Sequence, residues 1–191
     1  MQETIISICL GVGLAASVGF RVFLPLLAVS LAGHYGAIPL NSDWEWVGSN
    51  TALIVLSIAT VVEILAYYIP WFDNLLDTIA IPLAAIAGTA VMVSTVANLS
   101  PVVTWALAII AGGGTAATVK STMGASRLTS SATTGGLANP IIATAETGTA
   151  TIMSILSVFL PFIAIIMVIL LFFGLRKVYK KLFTRSSRKS I

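Results

Sequence analysis

Apolar residues run along this chain in long blocks separated by short polar stretches. The first block extends from about Thr4 to Gly33. As a helix rising 1.5 Å per residue it would reach about 45 Å, against a bilayer core of about 30 Å. Gly19, Phe20, Arg21 and then Pro25 interrupt it near its middle. Proline removes a backbone hydrogen bond and kinks a helix. The block is therefore either one long bent helix or two half-helices joined at Gly19–Arg21.

Residues 34–50 form a polar loop with Pro39, Asn41, Asp43 and Glu45. Its Trp44 and Trp46 suit a membrane–water interface, as does Trp71 further on. A second span covers Thr51 to Ile69, with Glu63 inside it and Pro70 ending it. Asp73 to Asp77 reads as a short interfacial turn or helix. A third span runs from about Ile79 to Ala97, and Asn98–Ser100 is a tight link. Pro101 suits the first turn of a fourth helix reaching about Lys120. From Gly112 to Gly136 the chain is almost entirely Gly, Ala, Ser and Thr, punctuated by Lys120, Met123, Arg127 and Leu128. Asn139–Pro140 suits a helix start, with Asn as N-cap and Pro at the first helical position. The last helix would run to about Phe173, with Gly148 and Pro161 as candidate kinks.

Composition fixes the class. Hydrophobic types make up 58% of the 191 residues and charged types 9%. Mean hydropathy is +1.03. A soluble fold of this size leaves about 30% of its surface exposed and has no place for so much apolar area. A soluble enzyme, a disordered chain and a collagen-like chain are excluded. The expected fold is all-α: a multi-pass helical transmembrane bundle of about five membrane elements, with broken or re-entrant helices. Residues 1–175 form a single transmembrane domain and 176–191 a basic tail.

The formal net charge is +3, and seven of the ten Lys and Arg fall in that tail. A basic stretch after a span stays cytoplasmic and meets anionic headgroups. Five crossings would place the N-terminus outside, and a re-entrant pair would change that parity. The N-terminal Met-Gln-Glu-Thr lacks the positive region of a secretory signal, so the first block reads as retained. The tail is short, with only Tyr179 and Phe183 as aromatics, which argues against nucleic-acid binding. Cys9 is the single cysteine and His34 the single histidine, so neither an intrachain disulfide nor a typical zinc site can form.

The candidate chemistry lies in charges placed within apolar or small-residue segments. A charge at the bilayer centre costs about 2.5–3.5 kcal/mol on insertion scales, so such residues face the protein interior or a wet cavity and usually pair. Arg21 and Glu63 are the first pair to consider, as a binding or proton-linked site or as a structural salt bridge. Lys120 and Arg127 are seven residues apart, so they share a face if the helix continues. Thr133, Thr134, Gly135 and Gly136 lead to Asn139. A Gly-rich turn entering a helix exposes backbone N–H groups that favour anions. The same small residues also serve close helix packing or a plain loop. The Gly-x4-Gly-Lys-Ser/Thr order of a P-loop is absent. Glu146 could line a polar path or pair with Lys120 or Arg127. Asp73 and Asp77, four apart, could hold a cation through oxygen ligands, or act as an N-cap and a solvated interfacial residue. No metal site or cofactor is expected. Hydrolase chemistry has little support, since His34 is the only histidine base.

Gly13-Leu-Ala-Ala-Ser-Val18 resembles Gly114-Thr-Ala-Ala-Thr-Val119, and each precedes a basic residue, Arg21 and Lys120. Small transporters are often built from repeats with broken helices around a mid-membrane site. In a chain rich in Ala and Thr such an echo also arises by chance.

At Gly19-Phe-Arg-Val-Phe-Leu-Pro25, and again from Arg127 to Pro140, the chain resembles a family of small bacterial integral membrane proteins carrying a domain of unknown function, number 4126. The resemblance covers roughly residues 5 to 170. It implies a helical inner-membrane protein and supplies no activity, substrate or catalytic residue.

The expectation is a non-enzymatic transporter or channel of the inner (plasma) membrane. Its solute is small and anionic or proton-coupled, met by Arg21, Lys120, Arg127, Glu63, Glu146, Asn139 and the Thr133–Gly136 turn. Membrane lipids and a second copy of the chain are the expected partners. The alternative is a non-transporting membrane protein that binds lipid or assists assembly of a partner. A third class is an intramembrane enzyme acting on lipid through Lys120 and a nearby Ser.

Overall fold

The computed structural model describes residues 1–96 and 99–186, with only the backbone described at 70–75, 77, 78, 175 and 178–186. Eight α-helices follow in order: α1 Gln2–Val18, α2 Phe23–His34, α3 Asn50–Ala66, α4 Pro70–Thr95, α5 Pro101–Leu107, α6 Gly114–Thr134, α7 Asn139–Phe159 and α8 Pro161–Ser186. A short 3₁₀ helix, Ser42–Gly48, precedes α3, and a π-helical segment, Ala108–Gly113, joins α5 to α6. No strand occurs among the described residues. The fold is an all-α, multi-pass helical bundle.

Prolines punctuate it. Pro70, Pro101 and Pro161 each open a helix, and Pro140 follows Asn139 at the start of α7. A first-turn proline sacrifices no hydrogen bond, because those amides have no intrahelical acceptor. Pro25 acts in the same way in the first turn of α2. In a continuous helix its ring would strike the carbonyl of Arg21. The long first block therefore divides into two half-helices at Gly19–Val22.

Several boundaries differ from the sequence expectation. The third span begins at Pro70, so Asp73 to Asp77 belongs to α4 rather than to a separate turn. The helix from Pro101 continues past Lys120 to Thr134, because Ala, Ser and Thr sustain it through the small-residue segment. The last block breaks at Leu160, before Pro161, while Gly148 lies inside an unbroken α7. Asn139 is the first helical residue and Ala138 the cap position. Asn98 and part of the tail, including Arg188 and Lys189, lie outside the described residues.

Among the described residues, two helical runs are long and apolar enough to cross a membrane, Pro101–Thr134 and Asn139–Phe159. The 3₁₀ helix and α3, bent by 62°, form a third candidate if taken as one span. Four shorter apolar helices are Gln2–Val18, Phe23–His34, Ile79–Thr95 and Pro161–Gly174.

The distribution of side chains is reversed from that of a soluble protein. On α3, Ile54, Ile58, Val62 and Leu65 are each 58–60% exposed. Among the largest fully buried side chains are Arg21 and Lys120. In hydrocarbon this is the stable arrangement, since apolar residues need no shelter and charges do.

Helices α1 and α4 form the centre with α2, sharing Leu10, Leu14, Val18, Val29 and Val91 in one buried cluster. Helix α4 crosses the π-helical segment at very short range. A Cβ on Gly112 would lie 2.6 Å from the Gly88 carbonyl oxygen, and one on Gly113 would lie 3.0 Å from that of Ala85. Small residues permit this approach where no hydrophobic force drives helices together. The two echoing segments also meet. A Cβ on Gly19 would lie 2.7 Å from Val119 Cγ1 and 2.9 Å from the Ala116 oxygen.

Gly112→Val should therefore destabilise the protein by about 1–3 kcal/mol through overpacking. Thermal unfolding in detergent measures this, with Gly114→Ala as the control, because nothing lies within 4 Å of that added methyl.

Candidate functional site

The break between α1 and α2 exposes backbone groups inside the bundle, and two charged side chains from other helices cover them. Glu63, near the end of α3, accepts from Val22 N–H at 2.7 Å and from Phe23 N–H at 2.9 Å. It thereby caps the start of α2, where free amides and the helix dipole favour an anion. On the other side Lys120 of α6 donates to the Phe20 carbonyl at 3.5 Å and to Tyr67 Oη at 3.0 Å. A cation at the carboxyl end of α1 is the matching arrangement. Glu63 is 6% exposed and Lys120 is 2% exposed.

Arg21 lies in the break itself and points at α7. Its Nε donates to Thr147 Oγ1 at 3.0 Å and its Nη2 to the Ala143 carbonyl at 2.8 Å. Its Nη2 also lies 4.0 Å from Glu146 Oε2. The Nη1 group is buried without a hydrogen-bond partner. Arg127 takes Glu146 in a two-pronged pair, through Nε to Oε1 at 3.2 Å and through Nη2 to Oε2. Such fork-to-fork pairing is the strongest carboxylate contact arginine makes.

Tyr67 joins the two halves of this network. Its ring lies 4.0 Å from Arg21 Cζ, 4.4 Å from Arg127 Cζ and 5.1 Å from Lys120 Nζ. Cations over an aromatic face gain about 2 kcal/mol or more when desolvated. Tyr68 then ties the end of α3 to α7, its Oη 2.8 Å from Thr144 Oγ1.

The structure thus brings together Arg21, Glu63, Lys120, Arg127 and Glu146. The expected direct Arg21–Glu63 pair does not form. Arg21 turns to Glu146 and α7, and Glu63 to the backbone of α2. Thr133, Thr134, Gly135, Gly136 and Asn139 lie elsewhere, at the end of α6, in the turn that follows and at the start of α7. There Gly135 and Gly136 adopt φ of 62° and 85°, the left-handed region that ends a helix. Thr134 Oγ1 accepts from Ala138 N–H at 3.3 Å, and Asn139 Nδ2 donates to Ser131 Oγ at 3.2 Å. The Thr133–Gly135 stretch is exposed. The side chains of Asp73 and Asp77 lie outside the described residues.

Tyr67 was not anticipated. Its signal was the four-residue spacing from Glu63, which puts both on one helix face with Thr60. All three are buried, on a helix otherwise largely exposed.

The family described as Domain of unknown function (DUF4126) matches residues 8–181. This chain belongs to that family. The match spans the whole network, from the α1–α2 break to Glu146 in α7. No curated protein and no solved structure matches the chain. The family carries no activity with it, so chemistry has to be read from the DUF4126 site itself.

Removing one partner of a buried ion pair leaves the other charge uncompensated, at about 3–5 kcal/mol. Glu146→Gln should lower stability by that order in detergent denaturation. The paired change Glu146→Leu with Arg127→Met should recover much of the loss.

Proposed function

We propose that this DUF4126 protein carries a small solute across a membrane, with the buried network as its closed gate. The observation that carries the reading is the α1–α2 break, capped inside the bundle by Glu63 and Lys120 with Arg21 between them. Broken helices whose ends meet charged groups at mid-membrane are how small carriers bind solutes and coupling ions. Structural bundles seldom interrupt a helix in hydrocarbon, where every freed backbone group must find a partner.

In this reading Arg21, Lys120 and Arg127 supply positive potential for an anionic solute, and Glu63 and Glu146 are counter-charges or proton carriers. The Thr133–Gly136 stretch and Asn139 lie at the junction of α6 and α7, outside the gate. Movement would occur at the breaks, Gly19–Val22 and the π-helical segment. π-Helical turns often mark functional sites. The plasma membrane is the expected location, with the basic tail on the cytoplasmic side. A second copy of the chain would help to enclose a path in so small a bundle.

A non-transporting role in lipid binding or partner assembly is the second reading. It is favoured by the way the charges close on one another. It also fits a lateral groove between α2 and α7, lined by Ala28, Leu31, Tyr35, Ile155 and Phe159, which has the character of an acyl-chain seat.

Reconstituted liposomes separate the two. Uptake of small carboxylates or halide, or a proton flux, should be present in the wild type. It should be abolished by Arg21→Ala and by Glu63→Gln in protein that remains folded. Absence of flux for every solute, with a specific lipid co-purifying, would favour the second reading. Lipid turnover lost on Lys120→Ala would instead make the protein an enzyme.

A further inference from the structure

Arginine presents its N–H donors in a rigid planar fork with two edges of paired donors. At Arg21 the edge made by Nε and Nη2 is turned to α7, where Thr147 Oγ1 and the Ala143 carbonyl accept from it. These two acceptors are neighbours, since Thr147 Oγ1 itself donates to the Ala143 carbonyl at 2.9 Å. The second edge is formed by Nη1 and the remaining hydrogen of Nη2. Nη1 is buried with no hydrogen-bond partner among the described residues. Arg21 as a whole is 0% exposed, so bulk water does not answer it from the surface.

Glu146 does not serve this edge. Its Oε2 stays 4.0 Å from Arg21 Nη2, beyond hydrogen-bonding distance, and both of its oxygens are held by Arg127. One face of the guanidinium is covered by the Tyr67 ring, 4.0 Å from Cζ. Lys120 Nζ and Arg127 Cζ approach the same ring at 5.1 and 4.4 Å and add positive potential around it. A buried charged donor that lacks an acceptor bears its desolvation cost uncompensated, and folded proteins keep few such groups without a use for them.

We propose that the Nη1–Nη2 edge of Arg21 is the binding site for a small planar oxyanion, a monocarboxylate such as formate or acetate. Two coplanar oxygens match two parallel N–H donors, a fit that a lysine could not offer. A water molecule brings one oxygen and no charge. The ligand is small because the break is crowded: a Cβ on Gly19 would lie 2.7 Å from Val119 Cγ1. Access rests on the carrier reading, because the buried edge is reached only when the gate at Gly19–Val22 opens.

Solid-state NMR of the full-length protein in vesicles, equilibrated with carbon-13 formate, tests the site. Phe20-Arg21 is the only Phe–Arg step in the sequence, so paired labelling assigns Arg21 without a substitution. Saturable dipolar coupling should run from the formate carbon to Arg21 Nη1 and Nη2, and more weakly to Nε. Acetate should displace the formate, and chloride at the same concentration should not. Arg21→Lys, which keeps the charge and loses the fork, should weaken formate binding by about tenfold or more. Arg176→Lys in the tail should leave it unchanged. If Arg21→Lys fails to fold, the assigned coupling in the unsubstituted protein decides.

No coupling at Arg21 would overturn the site. So would magnetisation transfer from water to Nη1 in saturating formate, which would make the edge a water seat. Coupling confined to the tail arginines would overturn it as surface attraction, and equal displacement by chloride would overturn the two-oxygen match. Formate held at Arg21 without flux of any solute would sink the carrier reading alone. Carboxylate flux that survives Arg21→Lys would sink the site alone.

Discussion

A helix that stops within hydrocarbon has to find partners for its free amides and carbonyls inside its own chain. That constraint organises this protein. The first helix stops ahead of Pro25, although α4 runs on through Pro82, so the chain between Val18 and Phe23 presents backbone groups inside the bundle. Glu63 reaches across from α3 to the amide end, and Lys120 reaches from α6 to the carbonyl end. The signs match the two helix dipoles, and Tyr67 Oη gives Lys120 a second, shorter contact beside the break. Two features that would each be costly alone, a broken helix and a buried ion, offset one another.

The rest of the bundle follows from holding those caps in place. Lys120 can reach Phe20 only if α6 lies close to α1, and the contact of Gly19 with Val119 and Ala116 supplies that proximity. Helix α6 can lie there only if the run from Pro101 passes α4 at short range, which Gly88, Gly112 and Gly113 permit. Glycine at positions 19, 88, 112 and 113 is thus a packing requirement of the charge network. Arg21, placed in the break, turns to α7 and meets Glu146. Glu146 in turn fixes Arg127, two turns along the same face of α6 from Lys120. Tyr67 carries the three cations on one ring and binds α3 into the arrangement.

Much of this was legible in the sequence. The membrane class followed from composition, and the helix starts at Pro101 and Pro140 from the preference for proline in first turns. The division at Gly19–Arg21 was one of two readings that the over-long first block allowed. The seven-residue spacing of Lys120 and Arg127 put both on one face, and α6 confirms that it continues as a helix through both. What sequence could not supply was partnership. An acid and a base in neighbouring spans suggest a pair, yet Glu63 binds backbone and Arg21 binds α7. Backbone groups freed by a break leave no trace in residue types, so a cap provided from another helix is invisible before the fold is known. The extent of α6 was hidden for a similar reason. Gly, Ser and Thr read as loop formers, but here the hydroxyls of Thr118, Ser121, Thr122, Ser126, Thr129 and Thr133 turn back onto carbonyls four residues earlier within the helix.

The central claim is that the Glu63 carboxylate, in the bilayer, is bound to the amides at the start of α2. Solid-state NMR of the protein in lipid, with labelled Glu carboxyl carbons and backbone nitrogens, measures it directly. The account predicts strong dipolar coupling from the Glu63 carboxyl carbon to the Val22 and Phe23 nitrogens, with no magnetisation transfer from mobile water. A Glu63 carboxyl that exchanges magnetisation with water and lacks coupling to either amide would contradict it.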